Sequence, residues 1–197
     1  MYKMIGKWHN TAYGELGLSY NCGYCGKNAG PSRYYILDGT GISGVTMGIY
    51  ICPSCNRPTY LNNYTNEQVP GPMIGNEVAH LPEGIEELYA EARNCIKVNA
   101  YTSSVLSCRK LLMNISVTKG AEPGQTFAFY VTFLEKNNFI PPDSREWVDH
   151  IRKKGNEATH EIPSIEEEDA IELLGFTEML LLFVYEMPGK MNKYRTE

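Results

Sequence analysis

From residue 84 onward the apolar positions repeat with a helical period. Ile85, Leu88, Tyr89, Ala92 and Ile96 fall on one face at i, i+3, i+4, i+7 and i+11, which predicts an amphipathic helix. A second helix is expected from about Ala100, with Tyr101, Val105, Cys108, Leu112 and Ile115 as its apolar stripe and Lys119-Gly120 as its stop. A third runs from Gln125 to about Asn137 and buries Phe127, Tyr130, Val131 and Leu134; Asn138 and Pro141-Pro142 end it. The fourth opens on the capping-box pair Asp143 and Glu146 and carries Trp147, Val148, Ile151 and Ala158 inward. Ser164 caps the last, with Glu167 three residues on, and the helix continues through Leu173, Leu174 and Phe176 to about Glu186, ahead of Pro188-Gly189. Five helices joined by short connections make an α bundle.

Before residue 80 the pattern is different. Short β-favouring runs, Arg33-Tyr34-Tyr35-Ile36-Leu37 and Thr46-Met47-Gly48-Ile49-Tyr50-Ile51, alternate with glycine-rich turns, and nine of the fourteen tyrosines lie here. Val69-Pro70-Gly71-Pro72-Met73-Ile74-Gly75 and Leu81-Pro82-Glu83-Gly84 hold the breakers between the two patterns. The expected fold class is therefore α+β in two parts: a small β-rich ribbon with its linker over 1–80, and an all-α five-helix bundle over 81–197.

Composition changes this picture only in detail. With 43% apolar and 21% charged residues in 197, the chain is an ordinary globular one, neither disordered nor collagen-like. Its net charge of −5 argues against a large basic nucleic-acid footprint. The acidity is uneven: residues 1–80 hold 5 basic and 4 acidic side chains, and 81–197 hold 13 and 19. The start, Met1-Tyr2-Lys3-Met4-Ile5-Gly6-Lys7, lacks a signal-peptide core, and the longest apolar run, Met179 to Tyr185, is far short of a membrane span. A cytoplasmic protein is expected.

The cysteines carry the strongest chemical signal. Cys22-Gly23-Tyr24-Cys25 and Cys52-Pro53-Ser54-Cys55 put two thiolates on each of two tight turns, and antiparallel strands in the 26-residue interval can close them into one tetrahedral four-sulfur site. Structural zinc is the expected metal; iron fits the same four thiolates. Gly26 and Asn56 follow the two pairs, and both residue types accept the positive φ that turns backbone N–H groups toward sulfur. Such a site can simply hold together a subdomain too small for a sufficient core. Alternatively the ribbon contacts a single strand of RNA or DNA, with Tyr24, Tyr34, Tyr35, Tyr50, Tyr60 and Tyr64 stacking and Lys27, Arg33 and Arg57 neutralising phosphate. Cys95 and Cys108 lie on the apolar faces of the first two helices and are expected to be buried and inert. His9, His80 and His150 are assigned no role.

A second cluster closes the fourth helix. Arg152, Asn156 and His160 recur every four residues and form one polar stripe. Histidine can act as general base on a ribose hydroxyl, with arginine on the developing phosphorane charge and asparagine positioning the phosphate. The same residues can instead cap the helix end where the chain turns at Glu161-Ile162-Pro163.

Leu88-Tyr89-Ala90-Glu91-Ala92-Arg93, Tyr101 to Arg109-Lys110-Leu111-Leu112, and above all Ile151 to His160 resemble the bacterial family catalogued as domain of unknown function 4145, over roughly 84–187. That family is similar to the HEPN helical domains, many of them metal-independent ribonucleases of toxin–antitoxin and anti-phage systems that act as dimers with an Arg…His motif at the interface. The resemblance implies a HEPN-like five-helix bundle, a homodimer and a link to defence or restriction. Carried over, Arg152, Asn156 and His160 match the motif, with Arg109 as a supporting residue. Seven residues separate Arg152 from His160, more than in the usual ribonuclease motif, and Met113-Asn114 stand where a glutamate is common. The preferred expectation is a non-enzymatic zinc ribbon and helical bundle that binds nucleic acid or a defence-complex protein. The alternative is a ribonuclease using His160 and Arg152 across a dimer interface.

Overall fold

The structure, a computed structural model, describes residues 12–14, 17–36, 47–140, 153 and 165–195. The chain forms two compact units, Met1–Ile74 and Gly75–Glu197.

In the first unit the strands β1 (Ala12–Tyr13), β4 (Arg33–Ile36), β5 (Met47–Ile51), β6 (Pro58–Asn62) and β7 (Glu67–Val69) make one antiparallel sheet in the order β1-β4-β5-β6-β7. A separate hairpin pairs β2 (Tyr20–Asn21) with β3 (Asn28–Ala29). Alternation sorts the side chains by face. Tyr34 stands opposite Tyr50, and Tyr50 opposite Thr59. Tyr50 and Leu61 from this face join Tyr20, Ala29 and three of the paired cysteines in a small core, with Tyr34 packed against it. The Tyr34 and Tyr50 rings lie 6.4 Å apart, and the Tyr20 hydroxyl donates to the Tyr50 carbonyl at 3.4 Å. The next row across the sheet, Tyr35, Ile49, Tyr60 and Val69, is in direct register and points away from this core.

The second unit contains α1 (Glu83–Lys97), α2 (Tyr101–Thr118), α3 (Phe127–Lys136) and a long last helix. The last helix is α4 (Glu167–Leu181), continued by one π-helical segment (Leu182–Glu186) into α5 (Met187–Arg195). These are four helices among the described residues; of the expected helix beginning at Asp143 only Lys153 is among them, and it is helical. The predicted apolar positions of α3 (Phe127, Tyr130, Val131 and Leu134) are all buried. Helix α2 packs against α1, α3 and α4, so its buried face is wider than one stripe and includes Ser104, Ser107, Leu111 and Ser116. Serine is tolerated there because the backbone receives its hydroxyl: Ser104 donates to the Ala92 carbonyl on α1 at 2.9 Å, and Ser116 to the Leu112 carbonyl at 2.8 Å.

Two expectations are corrected. The last helix does not stop before Pro188-Gly189 but runs through them to Arg195. Proline within a helix loses one amide bond and crowds the carbonyl four residues back. The π segment, in which the Met187 amide reaches the Leu182 carbonyl, widens the turn where that crowding would fall. The stretch 75–80, read from sequence as linker, groups with the helices and is bonded to α1 and to the last helix, as set out below. Among the described residues no helix is long and apolar enough to cross a membrane.

Candidate metal centre

The two C-x-x-C segments build the same turn twice. In the first, the Cys22 amide donates to the Lys27 carbonyl at 2.9 Å and the Gly26 amide to the Cys22 carbonyl at 2.8 Å. In the second, the Cys52 amide donates to the Arg57 carbonyl at 3.0 Å and the Asn56 amide to the Cys52 carbonyl at 2.8 Å. Each turn closes through a left-handed residue, Gly26 at φ 68° and Asn56 at φ 61°, the two positions where the sequence predicts one. The first turn is preceded by β2 and followed by β3, and the second lies between β5 and β6.

All four Sγ atoms lie within 4.8 Å of one another. Cys22 is 3.7 Å from Cys55, and Cys25 is 3.8 Å from Cys52. Four sulfurs held about 2.3 Å from a central ion at tetrahedral angles stand about 3.8 Å apart. A disulfide needs about 2.05 Å. The spacing is that of a four-sulfur metal cage, and the four cysteines can hold a metal ion. Cys22, Cys52 and Cys55 are buried and Cys25 is partly so. Burial pushes the Cys22 and Cys55 thiols up. At Cys52 burial acts in the same direction, but the Cys55 and Ser54 amides, together with the Cys55 and Cys22 side chains beside its sulfur, outweigh it and bring the thiol down.

Residues around the cage hold the turns in place. Arg33 donates to the Asn56 side-chain oxygen at 2.5 Å, and the Arg57 guanidinium lies 5.0 Å over the Tyr24 ring. Gly23 is packed so closely that an added Cβ would fall 2.2 Å from the Gly71 carbonyl oxygen. Sequence reasoning offers Arg33, Arg57 and Tyr24 as nucleic-acid contacts; the structure uses all three to brace the turns. Of the other tyrosines named with them, Tyr50 is 1% exposed and Tyr34 is packed on the core, whereas Tyr64 is 70% and Tyr35 37% exposed.

The remaining predicted residues divide. Arg152, Asn156 and His160 lie outside the described residues. Arg109 is half-buried on α2 with its guanidinium 4.2 Å over the Phe127 ring. Cys108 is fully buried and its thiol is pushed up to about 12 by that burial. Cys95 differs from expectation: it lies at the edge of the α1–α2 contact, partly exposed beside Glu91.

No curated protein and no solved structure matches the chain. The α2, α3 and last-helix framework, with the C-terminal half of α1, coincides with a family model, described as domain of unknown function (DUF4145), that matches residues 90–197. On that match over more than half of its length, the chain belongs to the DUF4145 family.

Proposed function

We propose that the protein is a non-enzymatic binding protein in which a structural zinc ribbon presents a sheet surface to a partner and the helical unit serves assembly. The observation that carries this reading is the closed donor set. Four cysteine sulfurs at tetrahedral spacing fill every position of a zinc ion and leave none for water or substrate, which is the arrangement of structural sites and not of catalytic ones. Zinc is preferred over iron as the metal that needs no redox partner in such a cage. The zinc supplies the cross-link that a core of this size needs, while Gly26, Asn56, Arg33 and Arg57 fix the turns that present the sulfurs.

The row Tyr35, Ile49, Tyr60 and Val69 supports the partner surface. It crosses four strands, and Tyr35, Ile49 and Val69 are 37%, 41% and 44% exposed. Aliphatic residues alternate with the tyrosines, and Arg33 and Arg57 are turned to the metal turns. A polypeptide of a defence complex therefore fits this row better than a phosphate-rich strand of RNA or DNA. Assembly as a homodimer is supported by Phe183, Met187 and Met191, which recur every four residues and are 47%, 51% and 56% exposed.

Metal analysis of a reduced preparation tests the reading at its base. One equivalent of zinc per chain is expected; less than half an equivalent of zinc overturns it.

A further inference from the structure

The segment 75–80 has no regular secondary structure, yet it is read by helix side chains almost residue by residue. At Gly75 the carbonyl accepts from the Arg93 guanidinium at 2.8 Å. At Asn76 the backbone amide donates to Glu178 at 2.9 Å, the side-chain amide donates to the other Glu178 oxygen at 2.7 Å, and the carbonyl accepts from the Tyr89 hydroxyl at 3.0 Å. Val78 is buried. The Ala79 amide donates to Glu186 at 2.7 Å. His80 lies against Gly189, where an added Cβ would fall 2.6 Å from its ring. Arginine and tyrosine from α1 take the carbonyls, and two carboxylates from the last helix take the amides. Such pairing of carbonyls with donors and amides with carboxylates is how a protein recognises a polypeptide backbone.

The grip also selects sequence. Gly75 sits at φ 74°, and a Cβ there would be 2.9 Å from Glu178 and 3.0 Å from the Tyr89 hydroxyl, so a side chain strains the backbone and crowds the two groups that hold Asn76. Asn76 supplies two donors to one carboxylate, and the notch left by Gly189 admits His80. The hold on the strap is mostly polar. Asn76, Ala79 and His80 are exposed, and Val78 is its one buried residue. A segment with one buried apolar side chain and hydrogen bonds that are exposed or only part-buried opens well below the free energy of global unfolding.

We propose that the groove between α1 and the last helix is a polypeptide-recognition site, filled in the resting chain by its own strap and able to take the same Gly-Asn-x-Val-Ala-His segment from a second copy. The site lies wholly within the helical unit and does not depend on the metal. The probe is a fluorescent peptide of the sequence Ile74–Leu81, titrated by anisotropy into the full chain. The tethered strap competes at millimolar effective concentration. A Gly75→Val chain, whose own strap no longer fits, is therefore expected to bind the peptide at least tenfold more tightly than the wild type. A peptide with alanine in place of Asn76 should lose at least tenfold against that variant. Equal affinity for wild type and variant, no binding to a Gly75→Val chain with native circular dichroism, or full binding of the alanine peptide overturns the proposal. Should Gly75→Val not fold, an Asn76→Ala chain replaces it; if neither folds, the strap is a fixed part of the unit and the proposal fails.

Discussion

Two glycines in the first cysteine turn permit a matched comparison, because the same substitution strains them for different physical reasons. At Gly26 an alanine Cβ has room, its nearest neighbour being the Met73 sulfur at 3.6 Å, but the backbone is left-handed at φ 68°. The cost is conformational alone, about 1–2 kcal/mol. At Gly23 the Cβ meets main chain, 2.2 Å from the Gly71 oxygen and 2.9 Å from the Pro70 oxygen. Ordinary contact begins near 3.4 Å, so the turn or the 70–71 segment has to move by about 1 Å, well beyond the roughly 0.2 Å within which metal–ligand distances are held. Overpacking of this kind costs about 3 kcal/mol at its upper end, or roughly two orders of magnitude in affinity. Gly26→Ala should thus weaken zinc binding by about tenfold, and Gly23→Ala by about a hundredfold, read by competition with a chromogenic chelator at constant pH. A Gly23→Ala protein that holds zinc as tightly as Gly26→Ala would refute the packing of this turn against Pro70-Gly71.

Three further outcomes are expected. In zinc-loaded native protein a thiol reagent should modify Cys95 faster than Cys108, and raising the pH from 7 to 9 should accelerate Cys95 but leave Cys108 unreactive, since burial keeps its thiol protonated up to about 12; peptide mass mapping reads both, and early labelling of Cys108 contradicts the buried placement. Thr126 caps α3 by accepting the Phe129 amide at 3.2 Å, so Thr126→Ala should cost about 1 kcal/mol in thermal unfolding; an unchanged midpoint contradicts the cap. Structured RNA incubated with the protein in chelator should remain intact, and cleavage that a His160→Ala variant loses would replace the binding reading with a metal-independent ribonuclease.

Much of the architecture was legible because it rests on local rules. Gly26 and Asn56 are residue types that tolerate positive φ, and their places after the second cysteines predict the turns that form. The face of α3 follows from period alone because that helix packs on one side. Helix α2 packs on several, and there period undercounts: nothing in the spacing marks Ser104 or Ser116 as buried, since what makes them fit is a carbonyl on a neighbouring helix or one turn back. Pro188-Gly189 reads as a stop by propensity, and the helix passes through because the preceding turn widens, a non-local solution no breaker rule contains. The strap was illegible for a similar reason. Its partners Glu178 and Glu186 lie about a hundred residues away, and only the folded chain brings them to Asn76 and Ala79. Arg33 and Arg57 look like free cations in sequence, but each has a partner in one of the cysteine turns.

The widened turn at Leu182–Glu186 also bears on how this helix came to its present length. A helix that takes in one extra residue keeps its hydrogen-bond chain by opening a single turn to i→i−5 spacing, so a π segment is the trace such an insertion leaves. Everything after it is rotated by about 100° relative to an uninterrupted helix. With that rotation Leu173, Leu174, Leu180, Leu181 and Val184 are buried in the core and Gly189 faces His80. Family members that lack one residue here are therefore expected to have a regular helix, a differently facing C-terminal end, and no glycine notch at the position of Gly189.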